Sequence, residues 1–413
     1  MNVVKKPLDV FLIFQLGLFL VYSVLFIACI YNPVLMSDTP TVVFALTGDV
    51  RMNSRAVKQF RSILEMGYRI KAFTLGPPDS GHPFGENFKL HVLPTPKGSG
   101  MHFFRQVHQL FSKEVVHVKA DIYHASDLYV LPAMAKAAQN NKAKLVFDSR
   151  ELYPYVAATS KRPWITLFWH MLSWRYIPQA DVVFTVSKSI AERLTMFYDI
   201  PEPAVLYNVP IFRRDVVAND ALRRIANVST DKVVILHQGN MQKSRGCGLL
   251  IQAMQEVENA VLVFLGNGPL RYSLQNLVIG LGLDDKVRFL SPVPPDQLLE
   301  MTAGADFGVT LLEDTCLNHR FALPNKLFEY LMVGLPVMAS KLPEIEKVVE
   351  GYQVGLTVDP EDHPALVATL QRMVNDVASR KQWREHSSAV FEEYNWESAS
   401  KILQQAYQKL LRP

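Results

Sequence analysis

Residues 10–30 (VFLIFQLGLFLVYSVLFIACI) carry no charged side chain, and the uncharged run continues to Ser37. At about 1.5 Å per residue, a helix of that length reaches roughly 30 Å, the thickness of a bilayer's hydrocarbon core. The pattern predicts an N-terminal membrane anchor over 1–38. A cleaved signal peptide and a buried core helix compete with it, but the run is longer than a usual signal core and lacks a clear small-x-small cleavage site. Beyond it, short β-branched runs alternate with longer helical periods, the signature of parallel sheets with crossover helices. Strand candidates in the first half are TVVFALTGD (41–49), RIKAFTLG (69–76), DIYHASD (121–127), KLVFDSREL (144–152), DVVFTVS (181–187) and AVLYNVP (204–210). In the second half they are KVVILHQGN (232–240), AVLVFLGNG (260–268), KVRFLSPV (286–293), DFGVTLLED (306–314) and GLPVMAS (334–340).

The predicted fold class is therefore α/β, with two facing Rossmann-like doubly wound domains over 39–211 and 231–394. A polar linker, 212–230, joins them. The last segment, 395–413, predicts an amphipathic helix crossing back over both domains. Two such sheets form a cleft where strand C-termini and helix N-termini converge, and ligands bind there.

Composition narrows the classes. The 413 residues exceed one ordinary core. Lys and Arg number 43 against 39 Asp and Glu, with no dense basic stripe interleaved with aromatics, which argues against a nucleic-acid partner. Of the three cysteines, Cys29 lies in the apolar run, while Cys247 and Cys316 have neither disulfide-framework nor metal-ligand spacing. That usage fits a reducing compartment.

Candidate chemistry sits in the loops after strands. The first is Thr47-Gly48-Asp49-Val50-Arg51-Met52-Asn53-Ser54. A glycine at a strand-to-helix turn lets a ligand approach the backbone, and the helix N-terminus favours anionic oxygens. A dinucleotide fingerprint needs three spaced glycines; this loop has one, and the second strand ends in Gly76-Pro77-Pro78. That argues against a nicotinamide dehydrogenase. In the second half, Gly239-Asn240-Met241-Gln242-Lys243-Ser244-Arg245-Gly246 places two cations before a helix, and Gly266-Asn267-Gly268-Pro269 makes a tight turn with proline at a first helical position. Together these make a metal-free diphosphate site; taken alone, the loop reads as two solvated cations.

The strongest signal is LPNKLFEYLMVGLPV, residues 323–337. A helix opening at Asn325 carries Lys326 in its first turn, which opposes the macrodipole unless an anion sits there. One turn on, the carboxylate of Glu329 can accept both hydrogen bonds of a vicinal diol such as a ribose.

These blocks, with HQGNMQKSRG, LGNGPLR, FDSRELYP, VSKSIAERL and LYNVP, resemble glycosyltransferase family four, of the GT-B fold, over roughly residues 40 to 410. The resemblance implies a retaining, metal-independent transferase with no cofactor, using a nucleotide-diphosphate sugar as donor. The first domain would take the acceptor and the second the donor. Glu329 would hold the ribose. Arg245 stands where the family has a lysine on the diphosphate, Gly48 would approach the donor, and Gly266 and Gly268 would line the nucleotide pocket.

Departures from the family are visible. An arginine usually stands where this chain has Asn240, with Lys243 as a substitute. Eight positions before Glu329 is Phe321; allowing a two-residue insertion puts His319 at the family's first glutamate, with Glu313 and Asp314 as other replacements. Arg150 stands where many relatives carry histidine.

For catalysis, diphosphate stabilisation falls to Arg245, Lys243 and the helix dipoles. His124 and Asp127 (HASD) lie at a strand end; by family analogy His124 contacts the donor sugar, and Asp127 or Glu151 orients the acceptor hydroxyl. In a front-face retaining reaction the leaving phosphate takes the proton itself. The plainer alternatives are a satisfied strand-end histidine and an Arg150–Glu151 ion pair. The aromatic helix PWITLFWHMLSWRY (163–176) either packs in the first domain or meets a bilayer or lipid-linked acceptor.

The resulting expectation is a hexosyltransferase anchored by its N-terminus, acting on a glycan or lipid-linked acceptor in envelope or exopolysaccharide assembly. Lys5 and Lys6 favour an inside N-terminus and hence an outside body, whereas nucleotide sugars and unpaired cysteines favour the cytosolic face; the expectation follows the latter. Two rivals share the fold: a nucleotide-sugar 2-epimerase, and a degenerate membrane scaffold that binds no nucleotide.

Overall fold

The computed structural model describes residues 39–50, 53–77, 84–159, 162–211, 213 and 216–412. The expected anchor over 1–38 lies outside the described residues, as does Arg51. Among those described, no helix is long and apolar enough to cross a membrane.

The first lobe is a parallel sheet of strands β1 (Thr41–Leu46), β2 (Arg69–Leu75), β3 (Phe88–Leu93), β4 (Ile122–Ala125), β5 (Lys144–Ser149), β6 (Val182–Thr185) and β7 (Ala204–Val205), in the order β3-β2-β1-β4-β5-β6-β7. Its helices are α1 (Ser54–Glu65), α2 (Gly100–Val115), α3 (Leu131–Asn141), α4 (Pro163–Tyr176) and α5 (Lys188–Tyr198). The apolar residues of β1, β4 and β5 alternate between two cores. Val43, Ala45, Tyr123, Ala125 and Phe147 face α2, α3, α4 and α5, while Val42, Phe44, Leu46, Ile122 and Val146 face α1. Period-two alternation with both faces covered explains why the strands read as nearly continuous hydrophobic runs.

The second lobe follows α6 (Ala221–Ile225), which falls within the stretch expected to be linker; Leu222, Ala226 and Val228 bury against the second core. Its strands are β8 (Val233–Gln238), β9 (Ala260–Leu265), β10 (Val287–Leu290), β11 (Phe307–Thr310), β12 (Val337–Ser340) and β13 (Gly355–Val358), ordered β10-β9-β8-β11-β12-β13. Between them run α7 (Cys247–Ala253), α8 (Arg271–Gly280), α9 (Pro295–Thr302), α10 (Leu317–Arg320), α11 (Asn325–Met332) and α12 (Pro343–Val349). Strands β3 and β13 have no counterpart in the sequence expectation. Both are edge strands with half-polar patterns, FKLHVL and GLTV, so the hydrophobic run that marks a central strand is missing.

After α13 (His363–Asn375) and α14 (Val377–Glu393), helix α15 (Trp396–Leu410) returns to the first lobe. Trp396, Ala399, Leu403 and Tyr407 form one stripe and bury in the core that holds Phe44, Phe60 and Val146. The lobes also touch directly beside the cleft. The Leu152 amide donates to Asn318 Oδ1 at 2.7 Å, the Ser187 hydroxyl to the Phe321 carbonyl at 2.9 Å, and the Ser189 amide to Glu344 at 3.1 Å. Phe321, from the second lobe, sits in the first lobe's core.

Candidate active site

In the second lobe the site is built on the end of β8. Gln238 is buried and oriented by Thr302, whose hydroxyl donates to its side-chain oxygen at 2.8 Å. The amide nitrogen so aimed donates to Glu329 Oε2 at 2.5 Å. Burial raises the Glu329 carboxyl's pKa, opposed by this bond and by Lys326 and Lys58. Lys326, in the first turn of α11, lies 3.3 Å from His237 Nε2. Burial and the nearby Arg245 pull its pKa down to about 8. With Lys326 donating to Nε2, the buried His237 is a neutral acceptor carrying its proton on Nδ1; its own pKa is driven far below the usual range, chiefly by burial. Arg245 is half-buried at the loop before α7, its pKa also lowered by burial. Two desolvated cations beside the start of α11, with Glu329 and Glu151 nearby but no ion pair to a carboxylate among the described residues, are the electrostatic signature of a phosphate site.

The remaining second-lobe candidates take different roles. Gly266 (φ +147°) and Gly268 (φ +157°) are dictated by packing: a Cβ on Gly266 would come within 2.1 Å of the Gly239 carbonyl oxygen, and one on Gly268 within 2.3 Å of that of Met241. They let the loop after β9 lie against the loop after β8. Asn240 bonds Gln242 at 3.0 Å, while Lys243 and Asn325 are exposed. Of the residues considered for the first glutamate's place, Glu313 accepts from the Gly246 amide at 3.2 Å and so braces the Arg245 loop. His319 Nδ1 is within 3.0 Å of the Thr315 hydroxyl, and Asp314 pairs with Arg320 at 3.8 Å.

In the first lobe, Gly48 (φ +112°) has open space around its Cβ direction, and its carbonyl accepts from the Thr74 hydroxyl. Asp127 fixes this loop. One of its oxygens takes the Thr47 amide and hydroxyl at 2.7 and 2.8 Å, and the other takes the Tyr129 and Val130 amides at 3.0 and 3.2 Å. A carboxylate accepting four bonds positions the loop and the start of α3; it is not free to act as a base. Glu151 is exposed at the cleft, its pKa raised by the surrounding protein and opposed by Arg245 of the other lobe. It is the first-lobe acid that faces the basic pair.

The assignment of His124 to the donor sugar is corrected by the geometry. Its ring has no exposed surface, stacks on Phe44 at 4.2 Å between centroids, and bonds the Tyr407 hydroxyl at 2.6 Å through Nδ1. Burial lowers its pKa to about 3, so it is a neutral core group. The strand end placed it correctly, but alternation along β4 turns it toward α15 and away from the cleft.

Sequence reasoning missed Gln238 and Lys58. Lys58 is buried, bonded to Asn208 at 3.1 Å and to the Val209 carbonyl, with its ammonium 5.0 Å over the Trp396 ring. Burial lowers its pKa to about 7, against the pull of Glu329 across the cleft. The pattern in the sequence misleads. Arg55, Lys58, Gln59 and Ser62 of α1 are all buried and recur at helical spacing, a polar stripe that reads as a solvent face until α15 and Asp148 cover it.

Two Rossmann-like lobes around a basic, carboxylate-bearing cleft define the GT-B class of nucleotide-binding architecture. Residues 218–390 match the family described as Glycosyl transferases group 1, and residues 56–209 match Glycosyltransferase Family 4, so each lobe is similar to a glycosyltransferase family. The chain is 26% identical over 243 residues to an uncharacterized glycosyltransferase of Methanocaldococcus jannaschii, covering 56% of this chain and 61% of that protein. It is 27% identical to the lipopolysaccharide core biosynthesis glycosyltransferase LpsD of Rhizobium meliloti, over 53% of this chain and 67% of that one. The matched stretch thus spans under two thirds of the first relative's length. In fold, the chain is similar to sucrose-phosphate synthase from Thermosynechococcus elongatus (TM-score 0.75, 17% identity, 90% of this chain and 99% of that one). It is also similar to Anabaena HepE in complex with UDP and glucose (TM-score 0.67, 13% identity, 90% and 100%).

Proposed function

We propose that the protein transfers a hexose from a nucleotide-diphosphate sugar to a glycan or lipid-linked acceptor, with retention of configuration and without metal or cofactor. The observation that carries this is Glu329 locked by Gln238 beside the Lys326–Arg245 pair: a diol acceptor next to two cations matches a ribose followed by a diphosphate. In this reading Arg245, Lys326 and the start of α11 neutralise the leaving diphosphate, and Glu151 orients the acceptor hydroxyl from the opposite lobe. The first-lobe Gly48 loop, held by Asp127, closes over the donor. The leaving phosphate takes the acceptor proton. HepE was solved with UDP and glucose, which favours a uridine donor as the first to try.

Membrane attachment belongs to the same proposal. The uncharged run at 10–30 supports an anchor, with the lobes on the cytosolic face. Helix α4 adds to it. It packs Trp169 and Ser173 inward, while Trp164 (70% exposed), Leu167, Met171 and Trp174 form an outward apolar stripe, as a helix resting on lipid would carry. LpsD is a lipopolysaccharide core enzyme, which fits an envelope acceptor.

The test is a panel of UDP-, GDP- and ADP-sugars scored for nucleotide release with and without acceptor, with Glu329→Ala beside it. Release that depends on acceptor and is lost in Glu329→Ala supports transfer. Donor conversion without acceptor indicates a 2-epimerase, and absence of any nucleotide binding indicates a scaffold; either overturns the proposal.

A further inference from the structure

The end of β5 carries a cation, Arg150, two of whose three nitrogens are buried without a hydrogen-bond acceptor. Asp148 is saturated by α1: Arg55 donates from Nε at 2.8 Å and Nη2 at 2.6 Å, and Gln59 donates at 3.0 Å. Arg150, two residues on, has its Nε 3.6 Å from the same carboxylate, beyond hydrogen-bond reach. Its Nε and Nη2 are both buried with no hydrogen-bond partner, the Asp148 ion pair aside. Unmet charged donors are among the costlier things to bury, so a protein rarely keeps them without a use. Gln59 Oε1, His124 Nε2 and Ser126 Oγ are likewise buried and unpaired. Gln59 bonds Asp148, and Ser126 follows the Ala125–Phe147 register pair of β4 and β5.

Of these groups, the guanidinium borders the cleft. Arg150 keeps a fifth of its side chain exposed, Glu151 faces the other lobe's Arg245, and the Leu152 amide bonds Asn318 of that lobe. The neighbouring acids do not satisfy the guanidinium: Asp127 is filled by four donors of its own.

We propose that Arg150 anchors an oxyanion of the acceptor, a phosphate mono- or diester bound against the first lobe. The inference rests on the transferase reading and names the chemical class of its acceptor. The donor's diphosphate is the other source of the same chemistry, but Arg245 and Lys326 of the second lobe serve that group.

The test uses full-chain protein in detergent, with UDP as the nucleotide and inorganic phosphate as the probe, each titrated by calorimetry. Wild-type protein saturated with UDP should still bind phosphate. Arg150→Met should weaken phosphate by about tenfold or more with UDP affinity unchanged, as expected for losing a charged hydrogen bond. Arg150→Lys, which keeps the charge without the fork, should fall between, and Arg150→Gln gives a second variant should Arg150→Met fail to fold. Equal phosphate binding in wild type and variant, or none in wild type, overturns the inference and leaves the orphan atoms to water. Phosphate displaced by UDP overturns it too, because the anion then belongs to the donor. If no nucleoside diphosphate binds, the transferase reading falls, and phosphate titration of nucleotide-free wild type against Arg150→Met still decides the anion site.

Discussion

His124 Nδ1 lies 2.6 Å from the hydroxyl of Tyr407, a residue 283 positions later in the chain. The bond ties the middle of the first sheet to the last helix, so the first lobe's fold is completed only after the second has been synthesised. Removing one partner strands the other in a dry site. Tyr407→Phe should cost about 1–3 kcal/mol in urea unfolding.

The same histidine predicts an acid-sensitive fold. Its folded pKa, about 3, is below the ordinary 6.5. Between those values the unfolded chain binds a proton that the folded chain refuses, so this residue's contribution to stability falls as pH drops from 6.5 toward 3, by up to about 1.4 kcal/mol per pH unit. His124→Gln should flatten that slope in thermal melts taken across the window. An unchanged slope would mean that the histidine is protonated in the fold.

Glycines in the two lobes should separate sharply. Gly266→Ala drives a Cβ into a carbonyl oxygen at 2.1 Å and should cost more than about 3 kcal/mol. Gly48→Ala meets nothing within 4 Å and carries only the strain of φ +112°, about 1–2 kcal/mol. Melting of both variants measures the difference; the reverse order would contradict the loop packing described.

Lys326 makes nucleotide affinity pH-dependent. Its pKa of about 8 means that the free protein loses this positive charge as pH rises through 8, and with it attraction for a diphosphate. UDP affinity should decline above that pH, by at most about tenfold per unit. Lys326→Arg should bind without the decline. Calorimetry from pH 6.5 to 9.5 reads both.

Asp127 and Glu151 should part company as well. Asp127→Asn replaces an acceptor of four bonds with a group that accepts at one atom only, so stability should drop by about 1–3 kcal/mol. Glu151→Gln should leave melting unchanged and lower the acceptor-dependent rate. If Asp127→Asn were fully stable and merely slow, the loop-bracing role assigned to Asp127 would be wrong.

Much of the architecture was legible because it depends on local pattern. Continuous apolar runs such as VVIL and AVLVFL can be satisfied only between two helix layers. The LPNKLFE block placed Lys326 and Glu329 a turn apart on one helix face, a relation that sequence spacing alone sets. Other features were illegible in principle. The polar stripe of α1 has the spacing of a solvent face, and burial under Trp396 and against Asp148 depends on elements far along the chain. Gln238 stood inside the HQGNMQKSRG block with nothing in its spacing to single it out; it became visible when Thr302 and Glu329 closed on it from two different helices.

By itself, then, the sequence determined the alternation of strands and helices, the glycine-marked loops and the cationic helix start, because each follows from the chemistry of neighbours within a turn or a strand. Which side chains face the cleft was decided only by tertiary structure. His124 and Glu151 both lie at or just beyond strand ends, yet sheet pairing and the return of α15 bury one and leave the other opposite Arg245. The physical reason is that burial is a property of what packs against a residue, and those partners are supplied by chain segments that no local pattern specifies.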